Sequence, residues 1–116
     1  LKSIQPEAVQ EALNERAGET LYIHLETTNG AYASHNDASF FSAGAFIRNV
    51  ELRYIHGRIA GEGPYRIGLE TSLGWLYAEG LTDWEIDDQD RVLFAGHDPE
   101  GRLAAALELS REPFRK

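Results

Sequence analysis

Thr20-Leu21-Tyr22-Ile23-His24-Leu25-Glu26-Thr27 decides how this chain is read. Leu21, Ile23 and Leu25 alternate with Tyr22, His24 and Glu26, a period of two that sends apolar side chains to one face of a strand and polar ones to the other. The same period recurs in residues 44–48, 50–59, 65–71, 75–80, 84–86, 92–97 and 102–109. Between these runs stand turn signals: Asn29-Gly30, Gly61-Glu62-Gly63-Pro64, Ser72-Leu73-Gly74, Asp87-Asp88-Gln89-Asp90 and Asp98-Pro99-Glu100-Gly101. Asn49 marks a bend, and residues 36–42, polar and then aromatic, read ambiguously. The expectation is a mostly β fold, a compact antiparallel or mixed barrel-like sheet of about seven or eight strands with one N-terminal α-helix. Closure of the sheet is expected because open edges invite aggregation.

Upstream of the strands the period is helical. Pro6 suits a first helical turn, Glu7 complements the helix dipole and Gly18 is a natural stop, so a helix is expected over residues 6–16. Ala8, Val9, Ala12 and Leu13 share one face, which should pack on the sheet. Residues 1–116 then form a single domain, with the β region spanning 20–110.

Composition narrows the function classes. The 42% hydrophobic and 26% charged content belongs to a packed globule. With no cysteine, disulfides, thiolate metal sites and cysteine nucleophiles are excluded by counting. Nineteen acidic residues against eleven dispersed basic ones give a net charge of −8. Such a surface repels phosphate backbones and anionic lipid, so neither nucleic acid nor membrane is an expected partner. No apolar run is long enough to span a bilayer, and residues 1–18 read as a charged helix rather than a secretory leader, which places the protein in the cytoplasm.

Chemistry rests on few residues. His24 and Glu26 project from one strand face about 7 Å apart. They are candidate ligand-binding residues and, with His97 as a third member, an alternative metal-hydrolase set. His-x-Glu on a strand lacks the tight spacing of a helical zinc motif, so no metal or other cofactor is expected; an ordinary hydrogen-bonded His24 explains the pattern as well. Tyr65 and Arg66, after the glycine turn, offer a stacking face and a forked donor for a carboxylate or sugar, against a plain surface ion pair with Glu62 or Glu70. The turn itself lacks the lysine-serine pair and following helix of a phosphate loop. Trp75, Tyr77 and Trp84 are candidate partner anchors if exposed, and core residues otherwise. Ser34, Ser39 and Ser42 lack the Gly-x-Ser-x-Gly turn of a nucleophile elbow.

Residues 22–30, 46–49, 63–69, 74–82 and 95–97 together resemble the YojF family of Bacillus-type bacteria, across nearly the whole chain. The matching stretches include Tyr22-Ile23-His24-Leu25-Glu26, Gly63-Pro64-Tyr65-Arg66 and Gly74-Trp75-Leu76-Tyr77. That resemblance implies a compact β fold, a cytoplasmic homodimer and a genomic neighbourhood shared with a zinc-dependent deacetylase of bacillithiol synthesis. It carries no catalytic motif. The expected function is a non-catalytic accessory or ligand-binding module, with that deacetylase as a possible partner.

Overall fold

The computed structural model describes residues 1–29 and 43–115. Gly30, Ser34, His35 and the ambiguous segment 36–42 lie outside them. Among the described residues the elements are β1 (Lys2–Ser3), α1 (Pro6–Arg16), β2 (Leu21–Asn29), β3 (Ala43–Leu52), β4 (His56–Ala60), β5 (Tyr65–Glu70), β6 (Trp75–Leu81), β7 (Asp83–Ile86), β8 (Val92–His97) and β9 (Leu103–Ser110). The fold is mostly β with one helix, as the change of period at Thr20 predicts.

Among the described residues the sheet is not closed into a barrel. The strands form a six-stranded sheet, ordered β1-β7-β8-β9-β2-β3, and a three-stranded sheet, β4-β5-β6, with antiparallel pairing throughout. The expected run 50–59 is the reason for the split. It breaks at Tyr54, whose side chain is fully buried and whose carbonyl accepts from the Gly18 amide at 2.9 Å. Leu52 ends β3 in one sheet and His56 opens β4 in the other. The core lies between the sheets and α1, built from Val9 and Leu13, Leu21 and Ile23, Ile67 and Leu69, Phe94, Leu107 and Leu109.

Helix α1 starts at Pro6, where a missing amide hydrogen costs nothing. It lies along the open edge of β4: the Gln10 amide donates to the Gly57 carbonyl at 2.7 Å and accepts from the Ile59 amide at 3.1 Å. A side-chain amide thus stands in for a neighbouring strand and blunts that edge. In the last helical turns the carbonyls of Ala12 and Leu13 accept from the side chain of buried Arg16 (3.0 Å) and from the Tyr54 hydroxyl (2.5 Å).

Asn49 is a bulge inside one long strand rather than a bend between two. Its φ of 60° coincides with a register shift at Ile23/His24, so that Val50 faces Ile23 while Arg48 faces His24. The extra residue flips the face of everything beyond it. Val50 and Leu52 therefore lie on the core side of the sheet, and Phe46 and Arg48 on the back with His24 and Glu26.

Two hairpins share one device. In Asp87–Arg91 and Asp98–Arg102 the aspartate Oδ1 accepts the amides two and four residues on, and Oδ2 takes the arginine Nε. The fourth residue, Asp90 or Gly101, adopts a left-handed φ (59° and 81°). Aspartate suits this because its short carboxylate reaches the backbone locally.

Candidate functional site

On the back of the six-stranded sheet, β2 positions His24 and Glu26. Arg48 Nη1 lies 3.0 Å from His24 Nδ1. Guanidinium only donates, so Nδ1 accepts and the ring hydrogen sits on Nε2, which faces Glu26 Oε1 at 3.4 Å. Phe46 packs edge-on to the imidazole at 5.2 Å between centroids, and Phe114 lies against it from the C-terminal tail. The Asn49 amide pins that tail by a reciprocal pair with the Phe114 amide and carbonyl, at 2.7 and 2.8 Å. His24 is buried, with both ring nitrogens engaged. The sequence brought His24 and Glu26 together correctly but did not reveal Arg48, which the bulge at Asn49 delivers.

His97 lies elsewhere. Leu93 faces Glu108, which faces His24, so His97 is displaced four residues along β8 and two strands across, on the order of 13 Å by 10 Å at normal strand spacing. That separation exceeds what a single metal ion can bridge with His24, Glu26 and His97. Among the described residues no group of three or more His, Asp or Glu side chains is placed to hold a metal.

His97 has its own partners. Its Nδ1 is 3.0 Å from Asp83 Oδ1, which also accepts from the Thr82 hydroxyl at 2.6 Å. The His97 amide donates to Thr82 Oγ1 at 3.0 Å. The Thr82 hydroxyl and then the His97 contact hold the Asp83 carboxyl below its ordinary 3.8. An ionised carboxylate only accepts, so Nδ1 carries the hydrogen, and in the neutral imidazole Nε2 presents a lone pair. The signal for Asp83 was present: the hairpin turn at 87–91 sets Asp83 opposite Ala95, one diagonal from His97.

His97 opens on a groove made of two abutting depressions that share Pro64 and Gly80. One, of about 390 Å³, is lined by Thr82, His97, Asp98, Pro99 and Ala104. The other, of about 480 Å³, is lined by Ala60, Gly61, Tyr65, Arg66 and Glu79. The structure thus gathers Tyr65, Arg66 and His97 around one groove and leaves His24 and Glu26 apart. Arg66 pairs with Glu79, Nε to Oε1 3.3 Å, a partner other than the expected Glu62 or Glu70.

Beyond Arg66 runs an aromatic stack on the outer face of the three-stranded sheet. The Arg66 guanidinium lies 4.6 Å from the Tyr77 ring centroid, and Tyr77 stacks on Trp75 at 5.5 Å with planes 4° apart. Both rings crowd Gly68, where a Cβ would fall 2.9 Å from Tyr77 Cε1 and 3.5 Å from Trp75 Cε3. Trp75 and Tyr77 are nonetheless 51% and 47% exposed. Trp84 is not a surface anchor: it is 5% exposed, stacked on Phe94 in the core, because β7 joins the six-stranded sheet with that face turned inward.

Acid should unmake part of this arrangement. Asp83 and Asp98 both sit below the ordinary 3.8, Asp83 through Thr82 and His97, Asp98 chiefly through the Arg102 amide. Asp87 is also lowered: burial pushes it up, but the Arg91 amide and side chain and the Gln89 amide outweigh that. A depressed folded value gives stability that is complete above the unfolded value and lost as pH falls through the folded one. Melting temperature is therefore expected to hold from neutral pH to about 5 and then fall below about 4. A D83N/D98N variant, melted across the same series, should show a shallower fall; an unchanged slope would refute the assignment.

Comparison with known proteins agrees with this architecture. The family model described as "Protein of unknown function (DUF1806)" matches residues 3–114. The chain is 46% identical over 114 residues to the "Uncharacterized protein YojF" of Bacillus subtilis (strain 168), covering 98% of each chain. The crystal structure of Bacillus subtilis YojF superposes with a TM-score of 0.83 at 44% identity, covering 99% of this chain and 97% of that one. With its fold and nearly all of its length matched, the chain belongs to the DUF1806 family.

Proposed function

We propose that this protein is a non-catalytic accessory module that docks a partner through the Trp75–Tyr77 stack. The observation that carries the reading is two large aromatic side chains that are half exposed yet held in one geometry by Gly68 and Arg66. Aromatic side chains concentrate binding energy, and a surface already ordered loses little entropy on association. The family resemblance supplies the partner to try first, a zinc-dependent deacetylase of bacillithiol synthesis in the cytoplasm. The same reading has the module acting as a homodimer, since β3 closes one end of the six-stranded sheet with Phe46 and Val50 exposed.

Purified protein mixed with the deacetylase at micromolar concentration and run through light-scattering chromatography reads both points. The expected result is a mass of two chains alone and a larger complex with the enzyme. Trp75→Ala should weaken capture by about tenfold or more. Gly68→Ala should weaken it too, because its Cβ displaces the Tyr77 ring without removing an aromatic group. Absence of a complex, with unchanged deacetylase turnover, defeats the docking reading.

A further inference from the structure

The walls of the groove at Pro64 and Gly80 carry charges that are already matched. Arg66 pairs with Glu79 at 3.3 Å, Asp98 takes Arg102 Nε at 2.8 Å, and Asp83 holds His97 at 3.0 Å. Each charged side chain on these walls therefore already has a counter-charge, and among the described residues the groove holds no unpaired charge to draw an ion. Two groups of the groove stand outside those charge pairs: Nε2 of His97 and the hydroxyl of Tyr65. Between them the surface is apolar, formed by Pro64, Pro99 and Ala104 with the backbone of Gly80.

A hydroxyl both donates and accepts, so it suits an imidazole lone pair and a phenol alike, while proline rings suit a carbon–hydrogen face. Asp83 fixes which nitrogen of His97 points outward, so the acceptor is set before any ligand arrives. We infer that this groove binds a neutral, polyhydroxylated ligand of monosaccharide size, with His97 and Tyr65 taking its hydroxyls and the prolines its apolar face. The site adjoins the Trp75–Tyr77 docking surface at Arg66 but takes no contact from either ring.

Imidazole and amide nuclear magnetic resonance tests it, with methyl β-D-glucopyranoside and myo-inositol as probes. In free protein the His97 signals should report hydrogen on Nδ1. Titration should then give a saturable shift at His97 Nε2 and at the amides of Gly61, Arg66, Gly80 and Asp98. His97→Ala should abolish the shift. Tyr65→Phe should weaken it several-fold and keeps the test intact if His97→Ala fails to fold. Trp75→Ala should leave the shift unchanged, which separates this site from the docking surface. No saturable shift with either probe at tens of millimolar overturns the inference. So does a saturable groove shift with sodium acetate or ammonium chloride and none with the neutral probes.

Discussion

Gly96→Ala is expected to destabilise the protein by about 3 kcal/mol, the upper end of what overpacking costs. A Cβ at this position would lie 2.1 Å from the Gly80 carbonyl oxygen and 3.0 Å from its carbon. Both obstructing atoms are backbone, so no rotamer change relieves the clash. Nor can the Gly80 segment move freely: Gly80 holds a left-handed φ of 74°, and two residues on the Thr82 amide donates to the Ala95 carbonyl at 2.9 Å. Relief requires the three-stranded sheet to lift from β8. Denaturant unfolding should show a lowered midpoint with the slope unchanged, and a loss of under about 1 kcal/mol would show that the two sheets meet less tightly here. Because Gly80 also floors the groove, the same variant should perturb His97, which a substitution such as Gly74→Ala in open space would not.

Tyr54→Ala should cost about 3–5 kcal/mol, as truncation of a buried aromatic does. Its side chain is fully buried and fills the space beside Gly57, where a Cβ would come within 3.0 Å of the ring. Its hydroxyl donates to Leu13, and its carbonyl accepts from Gly18, so one residue fixes the exit of α1 and the chain break between β3 and β4. Tyr54→Phe separates the two contributions: it keeps the ring, strands the Leu13 carbonyl and should cost about 1–2 kcal/mol. Burial also raises the phenol from 10.0 to about 12. A raised acid favours the folded state below the unfolded value and loses that advantage as pH climbs through the folded one, so stability should decline from about pH 10 upward. Tyr54→Phe should flatten that alkaline limb. If both variants melt like the parent, the helix is held by other contacts.

Residues with local causes were legible early. Helix α1 was expected over residues 6–16 and is found as Pro6–Arg16, because Pro6 and the apolar spacing act within single turns. The strand at Val92–His97 also matches its expected bounds. The two-residue β1 (Lys2–Ser3) is not legible in the sequence, since two polar residues carry no periodic signal and pair only because Asp83 and Trp84 lie beside them. At the candidate site, Tyr65, Arg66 and His97 were each named for their chemistry. Their convergence on one groove depends on how the 61–64 loop of one sheet meets the end of β8 in the other.

Period and turn chemistry determined by themselves that the chain is a helix followed by many short strands, because those signals act over a few residues. The tertiary structure decided which strands are neighbours and which faces are covered. Alternation assigns Trp75 and Tyr77 to a common face, yet nothing in it says whether another layer lies over that face; among the described residues none does, while Trp84 is turned into the core. In the same way a single extra residue at Asn49 carries Arg48 to His24, and the missing side chain at Gly96 lets Gly80 approach. Contacts of this kind join residues far apart in the chain, where local sequence preference exerts no force.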